Sequence, residues 1–161
     1  MIRHWIICAA AVAGLACAKS HQLTDTSNTV LSLASSNPGL STFITMAETS
    51  GLHTQLRGSE PITVLAPDNK ALNTLGAKRV RFLLSDEGAD ELHALLNAHV
   101  FPGAYSAEDV ARGKLPRNAA GNRIAASKAP DGTPRVETTG KILESMRGSN
   151  GFVHVIDTIL R

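Results

Sequence analysis

The stretch ITVLAPDNKAL, residues 62–72, has the pattern of a strand that changes to a helix within one residue. Its first five residues are mostly apolar or β-branched, which favours a strand. Pro67 has no backbone N–H group and biases Ala66 toward an extended conformation, so the strand ends at this point. The carboxylate of Asp68 can then accept hydrogen bonds from the free N–H groups of a following helix. The sequence therefore predicts a short helix over residues 69–74, with a buried face of Ala71, Leu72 and Leu75.

An abrupt corner of this kind can present a catalytic group, or it can lock two layers of a fold together. The bend reads Ala-Pro-Asp and contains no nucleophile, whereas the strand-to-helix elbow of hydrolases reads Gly-x-Ser-x-Gly. We therefore predict that the corner at Pro67 is structural. A hydrolase is the function class that the sequence favours least.

Length and composition limit the possible classes of protein. A chain of 161 residues forms one domain and can bury a core without disulfides or metal ions. Hydrophobic residues make up 43% of the chain and aromatic residues only 4%, so the core must be mainly aliphatic. Sixteen basic and fourteen acidic residues give a net charge of +2, with no basic cluster. This balance argues against a nucleic-acid partner.

The N-terminal residues have the pattern of an export signal. Arg3 precedes an apolar stretch over residues 5–15, and Ala16-Cys17-Ala18 forms a cleavage site, which predicts a signal over residues 1–18. In the alternative reading, Gly14-Leu15-Ala16-Cys17 resembles a bacterial lipoprotein box that ends before Cys17. Cys17 would then carry acyl chains, and this lipid anchor would be the protein's contact with a membrane. Both readings predict an exported protein that is periplasmic, anchored at the outer surface or secreted.

The rest of the chain is predicted to be a flexible lead-in over residues 19–28 and one domain over residues 29–161. Both cysteines lie in the predicted signal, so the domain has no disulfide. Apolar residues at helical spacing predict helices over 30–36, 40–47, 78–84 and 87–98, and Gly51 is suited to end the second. Ser106 and Asp109 have the spacing of a capping box, which predicts a helix as far as residue 112.

Strands are predicted mainly in the second half of the chain. Alternating residues favour strands over 123–127, 135–139, 142–146 and 152–156, and Asn150-Gly151 is a hairpin turn signal before the last strand. Helices first and strands later indicate an α+β fold.

Three segments carry a resemblance to a known family. ITVLAPDNKAL, LLNAHVFPGAYSAEDV and SNGFVHVIDTIL occur in this order and resemble the signature segments of the fasciclin domain family, with similarity from residue 28 to residue 160. The resemblance implies an α+β wedge of two β-sheets with a helical layer. It also implies a non-enzymatic module that mediates cell-surface, envelope or matrix adhesion through protein contacts.

The sequence departs from the family pattern at a position that concerns receptor binding. Ala98-His99 stands where animal members carry a Tyr-His pair linked to integrin recognition. The animal receptor role therefore does not extend to this chain. Leu65 and Leu72 stand where phenylalanine is common in the family, and Asp68 stands where threonine or serine is usual.

The predicted domain contains four histidines that are candidates for metal binding or acid–base chemistry: His53, His93, His99 and His154. No H-x-H or H-E-x-x-H spacing and no cysteine partner accompanies them in the domain, so we predict no metal site, catalytic residue or cofactor. His99 is predicted to hydrogen-bond backbone groups near a second corner of the chain, at residues 100–103, and Asp157 is predicted to cap backbone groups.

The second corner, at Val100-Phe101-Pro102-Gly103, is the predicted contact surface for a protein or cell-envelope partner. Phe101 and Tyr105 would supply aromatic contact area there, together with the helix over residues 106–112 and with His99 beside them. The alternative is that Phe101 and Tyr105 pack against the sheet. A second functional reading is a carrier of an apolar small molecule such as a carotenoid or lipid, a use found in some exported relatives, although the low aromatic content argues against it.

Overall fold

The computed structural model describes residues 28–137 and 139–160. The predicted export signal over residues 1–18, its Cys17 and all but the last residue of the lead-in lie outside the described residues. Thr138 lies outside them as well.

Helices dominate the first half of the described chain. The α-helices are α1 (Val30–Ser36), α2 (Ser41–Thr49), α3 (His53–Leu56), α4 (Asn69–Asn73), α5 (Ala77–Leu83), α6 (Ala89–Ala98) and α7 (Ala107–Ala111), with 3₁₀ turns at Pro38–Leu40 and Asp86–Gly88. The predicted helices are confirmed, with small shifts at their ends. Gly51 follows α2 with a φ of 76°, as expected of the residue that ends that helix.

One six-stranded sheet packs against these helices. Its strands are β1 (Ile62–Pro67), β2 (Val100–Pro102), β3 (Ala126–Lys128), β4 (Pro134–Val136), β5 (Gly140–Gly148) and β6 (Gly151–Ile156), in the order β2-β1-β6-β5-β4-β3. The central pair, β1 and β6, is parallel, and the other pairs are antiparallel. The α+β class is confirmed.

The two parts of the predicted wedge are joined through β5. Along most of its length β5 pairs with β6, while its first two residues pair with β4. A register shift between Ile142 and Glu144 marks a bulge where the pairing changes. The strands on either side of β5 therefore belong to one curled hydrogen-bonded sheet.

Two apolar clusters fill the interior. The larger lies between the helices and one face of the sheet and includes Phe43, Met46, Val64, Leu96 and Val153. The smaller includes Leu65, Phe101, Val110, Val136, Ile156 and Leu160. Since adjacent strand residues point to opposite faces, Val64 and Leu65 of the opening stretch contribute to different clusters. This is why β1 is buried along its whole length.

The corner after β1 is structural, as predicted. The carboxylate of Asp68 accepts a hydrogen bond from the N–H of Ala71 at 2.6 Å and so caps α4. The N–H of Asp68 itself donates to the carbonyl of Ile156 at 2.9 Å. The corner therefore ties the start of α4 to the end of the neighbouring strand β6.

Strand prediction failed at two places. β2 was not predicted because its three residues, Val-Phe-Pro, lie in a segment dominated by turn signals. The strand predicted over 123–127 begins only at Ala126, and Arg123 instead forms an isolated bridge with Arg117. Both errors concern short edge segments, where tertiary contacts outweigh the local pattern.

The hairpin between β5 and β6 is confirmed, and its turn also anchors the helices. Gly148 pairs with Gly151, so Ser149 and Asn150 form the loop. The side-chain oxygen of Asn150 accepts from the N–H of Val30 at 2.8 Å. Its amide donates to the carbonyl oxygens of Leu56 at 3.0 Å and Gly58 at 2.7 Å. This buried side chain joins the hairpin to α1 and to the end of α3.

Candidate functional site

The second corner of the chain, between β2 and α7, is fixed by hydrogen bonds to β1 and the residue before it. The buried Thr63 hydroxyl donates to the carbonyl of Gly103 at 2.7 Å and accepts from the N–H of Tyr105 at 2.8 Å. The N–H of Gly103 donates to the carbonyl of Pro61 at 2.8 Å. These bonds hold the backbone on both sides of Ala104, so the corner presents its outward side chains in fixed positions.

His154 fixes the same corner from β6. Its Nε2–H donates to the carbonyl of Tyr105 at 2.8 Å, and its Nδ1 accepts from the hydroxyl of Ser145 at 2.8 Å. Burial lowers the pKa of His154, and the Tyr105 carbonyl partly opposes this shift. Since both ring nitrogens are already engaged, His154 acts as a neutral structural bridge at neutral pH.

The capping box after the corner is confirmed. The Ser106 hydroxyl accepts from the N–H of Asp109 at 3.3 Å, and the Asp109 carboxylate accepts from the N–H of Ser106 at 3.3 Å. The hydrogen bond from the Ser106 side chain, followed by that from Lys114, lowers the pKa of the Asp109 carboxyl. Helix α7 therefore starts at a defined point, with its N-cap Ser106 two residues after Ala104.

Burial corrects two of the three predicted contact residues. Phe101 and His99 are both 0% exposed, so their side chains do not form an outer contact surface. Phe101 belongs to the smaller apolar cluster, which agrees with the alternative that it packs against the sheet. Tyr105 packs against the same cluster but remains partly exposed.

His99 has the structural role that the sequence predicted. Its Nδ1–H donates to the carbonyl of Leu95 at 2.7 Å, and its Nε2 accepts from the N–H of Leu160 at 3.0 Å. Burial lowers the pKa of His99 from 6.5 to about 4, against the opposing effect of the Leu95 carbonyl. The neutral ring therefore joins the end of α6 to the C-terminal segment. Asp157 is also structural, since its carboxylate accepts from the N–H of Lys141 at 2.7 Å.

Exposed apolar residues that the sequence did not single out complete the corner. Pro102 and Ala104 are exposed beside the partly exposed Tyr105. We call these three residues the corner surface. Their exposure depends on how the loop folds back on β1, which residue type alone does not indicate.

An open groove of about 360 Å³ adjoins the corner surface and shares Pro102 with it. Its walls come from α3 and the turn after it, the start of β1, strand β2 and the loop that contains Ala119. The lining residues are Gln55, Gly58, Glu60, Pro61, Ile62, Val100, Pro102 and Ala119. Most of these residues are apolar, and Glu60 is the charged one.

The described residues, 28–137 and 139–160, contain neither a metal-binding cluster nor a membrane-spanning helix. No group of three or more His, Cys, Asp or Glu side chains there is placed to hold a metal ion. No helix in that part of the chain is long and apolar enough to cross a bilayer.

Comparison with known proteins identifies the family. The fasciclin domain profile matches residues 38–161. The chain belongs to the fasciclin domain family. It is 33% identical over 141 residues to protein sll1483 of Synechocystis sp., covering 88% of this chain and 77% of that protein.

Animal relatives share the domain within much longer proteins. The chain is 32% identical over 114 residues to transforming growth factor-beta-induced protein ig-h3 of Sus scrofa, covering 69% of this chain and 16% of that protein. It is 28% identical over 140 residues to stabilin-1 of Homo sapiens, covering 84% of this chain but 5% of stabilin-1.

A solved structure agrees with the fold. The fasciclin domain pair of the insect cell adhesion molecule fasciclin I superposes with a TM-score of 0.71 at 18% identity, covering 83% of this chain and 51% of that one. Since the two sequences are only 18% identical, this structural similarity establishes the shared fold alone. The fasciclin-like fold implied by the three signature segments is confirmed.

Proposed function

We propose that this fasciclin domain is an exported, non-enzymatic interaction module that contacts a protein or another cell-envelope component through the corner surface. The proposal rests on the structure of the corner. Pro102, Ala104 and part of Tyr105 are exposed there. Hydrogen bonds with Thr63 and His154 fix the backbone that holds them. A fixed apolar and aromatic surface loses little conformational entropy on binding. Family membership and the fold shared with an insect cell adhesion molecule support an adhesion-type role.

The histidines nearest the corner support a binding role over a catalytic one. Both ring nitrogens of His99 and His154 hold backbone carbonyls, a backbone N–H or the Ser145 hydroxyl. A general base needs a free nitrogen within reach of a substrate proton. The ring of His154 is engaged in holding the corner, and the ring of His99 in joining α6 to the C-terminal segment.

The proposal is tested by paired measurements of binding and stability. The full chain is assayed for binding to the cell-envelope fraction of the organism that produces it, and the same preparations are melted. Tyr105→Ala is compared with Phe82→Ala, which removes a partly exposed aromatic ring from α5 in the helical layer. Both changes should lower the melting temperature, because Tyr105 packs against the smaller apolar cluster and the Phe82 ring contacts the guanidinium of Arg79.

Only Tyr105→Ala should weaken binding beyond the loss of folded protein. If both variants lose binding only in proportion to their loss of folded protein, the corner surface is not the binding site.

A carrier of an apolar small molecule is the second candidate, and the groove beside the corner is the observation that favours it. Ligand sites bury most of the surface of their ligand. The groove is open and has Glu60 in its wall, so a long apolar carotenoid or lipid would remain largely in contact with water. Extraction of the purified protein with organic solvent tests this candidate. Recovery of a carotenoid or lipid in equimolar amount would favour the carrier over the interaction module.

A further inference from the structure

We propose that the groove beside the corner surface binds a lysine or arginine side chain of the partner protein, together with an apolar residue next to it in the partner sequence. This inference rests on the proposed function and names the chemistry of the contact.

The groove offers an apolar floor of suitable shape for the stem of a long cationic side chain. Ile62 and Val100 are buried at its base, while Pro61, Pro102 and Ala119 are exposed along its sides. Lysine and arginine side chains pack their methylene groups along apolar surface and keep the charged end at the edge. A volume of about 360 Å³ leaves room for an adjacent apolar side chain as well.

The charge in the groove selects a cation. Glu60 lies in the wall, and the ion pairs found among the described residues join Arg79 to Glu91, Arg112 to Glu108 and Lys114 to Asp109. The Glu60 carboxylate is therefore not neutralised by any of those pairs. Gln55 lies in the same wall and adds an amide that can accept a hydrogen bond from an ammonium or guanidinium group.

The neighbouring strand edge excludes the main alternative, in which the partner adds a strand to the sheet. The outer edge of β2 is closed because the carbonyl of Val100 already accepts from the N–H of Ala119 at 2.8 Å. Pro102 has no N–H group to offer. The partner must therefore bind through its side chains, which an apolar groove with one carboxylate can recognise.

The test uses short peptides and amide NMR spectra of the full chain. The first probe is a capped Leu-Lys-Leu peptide, the second replaces lysine by the uncharged norleucine, and the third replaces it by glutamate. We expect the lysine peptide to bind about threefold to fivefold more tightly than the norleucine peptide, the increment of a solvent-exposed ion pair. The glutamate peptide should bind least.

Two protein variants with matched controls locate the site. Ala119→Trp fills the groove from an exposed position, and Ala120→Trp places the same ring on the exposed neighbour that does not line it. Ala119→Trp should abolish binding of every peptide, and Ala120→Trp should leave it unchanged. Glu60→Gln should lower the affinity for the lysine peptide to that of the norleucine peptide, while Glu87→Gln, an exposed change in the helical layer, should not.

Several results would overturn the inference. Equal affinity for the lysine and norleucine peptides would show that the charge of Glu60 does not contribute to binding. Binding that survives Ala119→Trp would show that the site lies outside the groove. Hexylamine that binds as tightly as the lysine peptide would indicate a free amine as ligand. If Tyr105→Ala weakens envelope binding and Ala119→Trp does not, the proposed function stands and the groove inference falls.

Discussion

At the scale of single residues, Asn150 shows how one side chain can hold several elements together. It is buried, and its side chain makes three hydrogen bonds, to Val30, Leu56 and Gly58. A buried polar group that loses its partner carries its full desolvation cost. Local sequence identifies Asn150 as a turn residue, but it cannot indicate partners that lie about 90 and 120 positions away.

We predict that Asn150→Ala lowers the free energy of unfolding by about 3 kcal/mol, because it leaves one N–H and two carbonyl groups without their partner. Urea denaturation of both proteins measures the difference. Ser149→Ala is the matched control in the same turn and is exposed, so it should change stability by less than about 0.5 kcal/mol. Equal effects of the two changes would show that the side-chain bonds of Asn150 are not what stabilises the hairpin.

Asp68 is the residue whose role the sequence predicted most completely. Its position directly after Pro67 indicated an N-cap, and in the structure its carboxylate accepts such a bond from the N–H of Ala71 at 2.6 Å. We expect Asp68→Ala to lower the free energy of unfolding by about 1 kcal/mol and Asp68→Asn, which keeps an acceptor, to lower it less. Binding per folded molecule should stay unchanged in both. A loss of binding at unchanged stability would contradict the structural interpretation of the corner.

At the scale of elements, the C-terminal segment depends on a neutral histidine. The N–H of Leu160 donates to Nε2 of His99, which sits where α6 ends and β2 begins. Protonation would replace this acceptor with a second donor. Between pH 6.5 and about 4 the unfolded chain binds a proton at His99 that the folded chain does not. The contribution of His99 to stability is therefore complete above pH 6.5 and falls as the pH falls through this window.

We predict that acidification from pH 7 to pH 4 lowers the free energy of unfolding by about 3 kcal/mol through His99. His154 acts in the same direction, since burial lowers its pKa too. Denaturation curves at several pH values check this, with His99→Gln as the variant that cannot titrate at this position. The slope between pH 6.5 and 4 should be smaller in His99→Gln. An unchanged slope would mean that other groups produce the acid sensitivity.

The elements also show where prediction from sequence stops. Helices with a regular apolar stripe, such as α2 and α6, were predicted within a few residues of their ends. Strand β2 was not, because it is defined by its pairing with β1, in which Val64 meets Val100, and by no pattern of its own. Strands β3 and β4 are also short and were placed only approximately. Short strands depend on their neighbours in the sheet more than on local preference.

At the scale of the whole molecule, the three signature segments meet at the sheet. The first supplies β1, the second supplies β2 and the corner, and the third supplies β6, and these strands are neighbours in the order β2-β1-β6. The family and the fold class could therefore be predicted from sequence. The contact surface could not, because the exposure of Pro102 and the burial of Phe101 depend on which face of β2 meets the smaller cluster.

Residues that stabilise the fold are different from the residues proposed to bind the partner. Asp68, Asn150 and His99 hold elements together, while the corner surface and the groove face outward. Changes at the first group should reduce binding only by reducing the amount of folded protein. Changes at the second group should reduce the binding of each folded molecule.

The assignment of binding to the corner surface is tested by plotting binding to the envelope fraction against the folded fraction of the same sample. The full chain and its Asp68→Ala, Asn150→Ala and Tyr105→Ala variants are measured across a urea series, which varies the folded fraction of each. We expect one common line for the wild-type chain and the first two variants, with Tyr105→Ala below it at every folded fraction. A Tyr105→Ala series that falls on the common line would contradict the assignment of binding to the corner surface.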